Sequence, residues 1–98
     1  TRPAMSLISS WVAMICADAV HHEQIVAVMR AAAPRELEAI HLFDIFRGEA
    51  IGRGRKSVAY ALTYRAADRS LTDAAVNGYH DTVKAALRAQ LQVEIRES

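Results

Sequence analysis

Between Arg47 and Lys56 the chain reads Arg-Gly-Glu-Ala-Ile-Gly-Arg-Gly-Arg-Lys. Arg47, Arg53, Arg55 and Lys56 supply positive charge, and Gly48, Gly52 and Gly54 let the backbone turn and approach a bound surface closely. That combination suits the sugar-phosphate backbone of a nucleic acid, which cations position without reading its bases. The same residues also suit a solvated loop, with glycine for turn geometry and cations for solubility. The chain holds 12 Lys and Arg against 11 Asp and Glu, a formal net charge of +1. Any affinity for a polyanion must therefore come from a local patch such as this one.

Other chemistries find less support. The glycines and Lys56 stand in the wrong order, and in the wrong setting between two strands, for a nucleotide phosphate loop. His21 and His22 are adjacent and point to different sides of a helix start, while His41 and His80 lie far apart. With no His-x-x-x-His or Cys-x-x-Cys spacing, no metal site is expected. No Ser-His-Asp or Cys-His set is suggested, so no catalytic residues are assigned. Cys16 sits in the apolar run Val12–Cys16 and reads as a small buried hydrophobe; a single cysteine excludes an internal disulfide and fits a reducing compartment. Asp44 needs a partner if buried, which Arg65 or Arg69 could supply. Asp68 and Arg69 read as a turn leading into a helix that has Asp73 at its positive end.

The elements that must position these residues follow from periodicity. Trp11 to Ala17 is apolar and of strand length. His22 to Ala33 places Ile25, Val28, Met29 and Ala32 on one helical face, ended by Pro34. Leu37 to Arg47 reads as a second strand stopped at Gly48. Ser57 to Arg65 alternates cleanly, with Val58, Tyr60, Leu62 and Tyr64 on one side. Thr72 is a plausible N-cap, Leu71 can staple against Val76, and Val76, Tyr79, His80, Val83 and Leu87 make one stripe of a helix running to Gln90. Leu91 to Arg96 is a short last strand. The order β-α-β-β-α-β is the split βαβ motif: an α+β, ferredoxin-like fold with a four-stranded antiparallel sheet and two helices on one face. Residues 1–98 form one domain, and because the chain opens Thr1-Arg2-Pro3 it reads as a piece of a longer or processed polypeptide. No apolar run reaches the ~18 residues of a membrane helix, and no membrane partner is expected.

The helix-facing side of that sheet would take Val12, Met14, Cys16, Ile40, Leu42, Val58, Tyr60, Leu62 and Tyr64. The opposite side would show Trp11, Ala13, Ile15, Phe43, Ile45, Ala59, Ala61 and Thr63. An uncovered, partly apolar face meets another molecule or domain. One central strand offers it Trp11 but the other no aromatic, which makes a poor base-stacking platform. Trp11, Ile15, Phe43 and Ile45 therefore read as a candidate interface for another domain or a second copy. A small-molecule regulatory role is a third possibility, since the fold alone does not settle one.

Residues Leu42-Phe43-Asp44, Arg47-Gly48, Lys56-Ser57, Ala59, Leu62, Arg65, Asp68-Arg69, Leu71-Thr72-Asp73 and Val76 form a pattern that resembles the ferredoxin-fold anticodon-binding domain at the C-terminus of the phenylalanyl-tRNA synthetase β subunit. The dense part covers about half of the chain. The first helix and last strand fit by position, and the first strand departs, with Ser10-Trp11 where members carry Arg-Asp. The resemblance implies a non-catalytic domain that holds the anticodon stem-loop of tRNA(Phe). Arg47, Arg53, Arg55, Lys56 and Arg69 would meet phosphates, and Ser57 or Phe43 would lie near bases. It implies a cytoplasmic parent enzyme in which other domains and an α subunit use ATP and Mg²⁺, with no cofactor in this domain.

Overall fold

The computed structural model describes residues 6–33, 35–66 and 71–96. Strand β1 spans Ser6–Ala17, helix α1 His22–Ala32, β2 Leu37–Phe46, β3 Arg55–Ala66, α2 Asp73–Leu91 and β4 Glu94–Arg96, with a 3₁₀ turn at Glu49–Ile51 inside the β2–β3 connection. The strands form one antiparallel sheet in the order β2-β3-β1-β4. This is the ferredoxin-like α+β arrangement expected from the sequence. Both central strands are longer than their apolar runs. β1 begins at Ser6, where Ser9 and Ser10 had masked the alternation, and β3 begins at Arg55. Each is lengthened by pairing with the other over its whole length, Ser6 opposite Ala66 through Ala17 opposite Arg55.

Local chemistry sets the helix ends. In α1 the Gln24 side chain accepts from the His21 backbone N–H at 2.7 Å. Its C-terminal neighbour Ala33 is extended, at φ −81° and ψ 154°, as a residue before proline prefers. In α2 the Thr72 hydroxyl accepts from the Ala75 N–H at 3.1 Å, and Gln92 closes the helix in the left-handed region, its N–H donating to the Arg88 carbonyl.

The core lies between the helices and the even-numbered positions of β1 and β3. Met14, Tyr60, Leu62 and Tyr64 from the sheet and Ile25, Met29, Val83 and Leu87 from the helices are wholly buried. Leu71 and Val76 are buried together at the entry to α2, where a staple contact was expected. Ile40 and Leu42 are only half-buried, because β2 is an edge strand. Burial pushes the Tyr60 and Tyr64 hydroxyls up to about 12.

Candidate nucleic-acid interface

The β2–β3 connection is braced from below. Asp18, just past β1, donates its backbone N–H to the Gly54 carbonyl at 2.8 Å and accepts from Arg47 Nε at 2.9 Å. The Arg47 hydrogen bond and charge hold the Asp18 carboxyl below its ordinary range. Inside the loop the Ile51 and Gly52 N–H groups donate to Gly48 and Glu49. Gly52 at φ +100° and Gly54 at φ +75° bring the chain round in a region that costs L-residues with a Cβ roughly 1–2 kcal/mol. Arg53 and Arg55 are exposed beside these glycines, and neither side chain has an ion pair or hydrogen bond among the described residues. Glu49 shares their groove. Two guanidinium groups thus stay uncommitted on a hydrogen-bonded turn, while Arg47 is engaged by Asp18.

Lys56 departs from expectation. Composition groups it with the loop cations, but β3 starts at Arg55, so Lys56 obeys the strand alternation and points with Val58 and Tyr60 toward the helices. It lies opposite Cys16 and is buried. Its charge pulls the Cys16 thiol down, against the larger effect of burial, which leaves that thiol raised. Arg69 and Asp68 lie outside the described residues. Arg65 pairs with Glu38 at 3.2 Å, not with Asp44, which is exposed.

The uncovered sheet face is rearranged by an irregularity in β2. Leu42 pairs with Tyr60 and Asp44 with Ala59, so Phe43 is an extra residue in the ladder. Past it the alternation is inverted. Ile45 comes opposite Val58 on the helix side, and Phe46 comes opposite Ser57 on the open side. Ile45 is therefore removed from the interface set in which the sequence placed it. Ile15 does lie on the open side but is only 8% exposed, in a row between Ser57 and Glu94. Trp11 and Phe43 remain exposed. A shallow groove runs between them over a floor of Ala13 and Ala59, with Asp44 and Ser57 toward β2 and Arg96 on the β4 side. The doublets Leu42-Phe43 and Ile45-Phe46 break period two, and that is the one sequence signal from which the bulge could have been found.

Trp11 is held from behind. Its carbonyl lies beyond the residues that β4 pairs with and accepts from His80 Nε2 of α2 at 2.9 Å. His80 Nδ1 is buried without a partner. Burial keeps His80 below the ordinary histidine range, against the opposing pull of the Trp11 carbonyl. A second histidine, His22, stacks on Tyr60 with ring centroids 5.6 Å apart, and its Nδ1 shares a 2.9 Å hydrogen bond with the Tyr60 hydroxyl. No group of three or more metal-ligating side chains occurs among the described residues.

The architecture is thus a ferredoxin-like sheet with one bare face and a basic β2–β3 turn. The model of the ferredoxin-fold anticodon binding domain matches residues 8–96. The chain belongs to that family. It is also similar to phenylalanine–tRNA ligase β subunits: 38% identical to that of Streptococcus pneumoniae over 91% of this chain and 11% of the relative. The corresponding figures are 36% over 96% and 12% for Clostridium tetani, and 47% over 69% and 8% for Symbiobacterium thermophilum. The chain thus spans about a ninth of the length of the relatives it matches.

Proposed function

We propose that this domain holds the anticodon stem-loop of tRNA(Phe) within a phenylalanine–tRNA ligase β subunit, without chemistry of its own. The parent would work in the cytoplasm, with its other domains and an α subunit activating phenylalanine with ATP and Mg²⁺. The observation that carries the reading is the pair Arg53 and Arg55. In a chain of almost no net charge they are exposed, unpaired among the described residues, and mounted on a turn braced by Asp18. They neutralise phosphates and release counterions, which makes binding salt-sensitive. Arg47 contributes less, because Asp18 already engages it. Lys56 contributes only long-range field from its buried position. The groove between Trp11 and Phe43 accepts a flat, unstacked base over its alanine floor, with the Asp44 carboxylate and Ser57 hydroxyl available to its polar edge.

The rival reading makes the bare face a protein interface. Its support is the exposure of Trp11 at 49% and Phe43 at 51%. Burial takes Ile15 out of that patch and the bulge exchanges Ile45 for Phe46, while Asp44 and Arg96 interrupt it with charge. This favours a wet, polar ligand. The test is a titration of the chain against the tRNA(Phe) anticodon stem-loop at two salt concentrations. Binding that weakens steeply with salt, and that Arg53→Ala/Arg55→Ala flattens, is expected. Salt-indifferent binding, or binding untouched by the double variant, refutes the proposal.

A further inference from the structure

His80 ties the two faces of the sheet together. It stands on the buried stripe of α2 with Val76, Val83 and Leu87, so its ring approaches from the helix side. Trp11 is an odd-numbered residue of β1, and its indole stands on the open side, 49% exposed. The two meet at the Trp11 peptide, whose carbonyl accepts from His80 Nε2 at 2.9 Å. A carbonyl held at that point fixes the rotation of its peptide, and with it the direction in which the Trp11 side chain leaves the strand.

The bond admits one protonation state. Nε2 donates, so Nδ1 is the bare nitrogen of a neutral ring, and it is buried without a partner. A second proton would put an N–H at Nδ1 with nothing to accept it, and the ring would have to leave for water. A hollow of about 390 Å³ beside the bond gives it a way out. Asp81 and Lys84 of α2 and Arg96 of β4 are the charged side chains that line this hollow among the described residues, and β1 brings none with Ser10, Trp11 and Val12. Lys84, 3.7 Å from Asp81, works against a proton on His80, and Asp81 works for it. Trp11 and Arg96 also line the groove on the open side, where Phe43 stands across the alanine floor.

We infer that His80 is the positioning residue of Trp11: neutral, it seats the indole as one wall of the open-face groove; protonated, it releases the Trp11 carbonyl and the wall moves. The coupling of His80 to Trp11 belongs to the free chain, and only its effect on affinity rests on the reading that the groove receives a base of the stem-loop. By reciprocity, a base stacked on the seated indole keeps the proton off His80. Affinity therefore falls on acidification, by no more than about tenfold per pH unit for one proton.

Trp11 is the only tryptophan of the chain, so its fluorescence reads the groove wall directly. Between about pH 7.5 and about pH 5.5, with far-UV circular dichroism unchanged, the emission of wild type is expected to shift. His80→Gln keeps a donor in the place of Nε2 and takes no proton, so its emission should stay constant. His41 lies across Ala61 from Trp11 on the open side and is present in both chains, so the difference belongs to His80. Stem-loop binding should weaken over the same interval more in wild type than in His80→Gln. A constant wild-type emission, an equal shift in folded His80→Gln, or equal weakening of binding in both would overturn the inference. Should His80→Gln fail to fold, proton NMR of wild type decides: the Trp11 indole signal must follow the titration of the His80 ring, and a mismatch refutes the coupling. Failure of the stem-loop to bind at either pH refutes the proposed function, and the fluorescence still decides the coupling.

Discussion

Replacing His80 by leucine is expected to destabilise the domain and to remove part of its acid sensitivity. The side chain is nearly buried, at 8% exposure, and its Nε2 must carry the proton, because the Trp11 carbonyl 2.9 Å away can only accept. Leucine fills comparable space, so little cavity results; what is lost is the bond and the partner of a backbone carbonyl. Stranding a group of this kind costs about 1–3 kcal/mol, or a melting-temperature drop of about 5–20 °C in a domain of this size. The pH dependence follows from Nδ1, buried and unpartnered: protonating it would create an N–H with nothing to receive it. Burial first, with Lys84 in support, holds His80 low, while Trp11 and Asp81 oppose. The folded value lies below the unfolded one, so the unfolded chain takes up more protons as pH falls. The stability contributed is complete above the unfolded value of ~6.5 and is lost as pH falls from there toward the folded value. Thermal melts of dilute wild type and His80→Leu at about pH 7.5 and about pH 5.5 read both effects. Equal melting at the higher pH, or an acid loss as large in the variant as in wild type, would refute the reasoning.

Removing Arg53 and Arg55 together should lower the salt slope of stem-loop binding by about 1.4–1.8, or roughly 7–12-fold less weakening across a fourfold rise in salt; Arg47→Ala, losing a group already engaged by Asp18, should change it less than half as much. Thr72→Ala should cost about 1 kcal/mol in urea unfolding by deleting the cap on the Ala75 N–H. Gly54→Ala meets no neighbour within 4 Å but inherits φ +75°, so a loss of about 1–2 kcal/mol in the same assay, from backbone strain alone, is expected.

The order of elements was legible because each carries a local signal. Val58 to Tyr64 alternates without fault, Ile25 and Met29 repeat at helical spacing, and Thr72 precedes an apolar stripe; these are nearest-neighbour properties of a chain in water. The family pattern from Leu42 to Val76 was legible for the same reason, since it is written in consecutive residues. The basic turn was legible as composition, although which of its cations stay available was not.

Availability was settled by register. A strand that starts two residues earlier than its apolar run turns Lys56 from a loop cation into a buried one. One extra residue at Phe43 exchanges Ile45 for Phe46 on the open face, because a period of two inverts with every single insertion. The pairing of Arg47 with Asp18 and of His80 with the Trp11 carbonyl joins residues 29 and 69 positions apart. Sequence alone determined the fold and its kinship. Only the packed sheet decided which charges face solvent and which histidine is held below its ordinary range, since these depend on desolvation and hydrogen bonds between segments that meet only when the chain is folded.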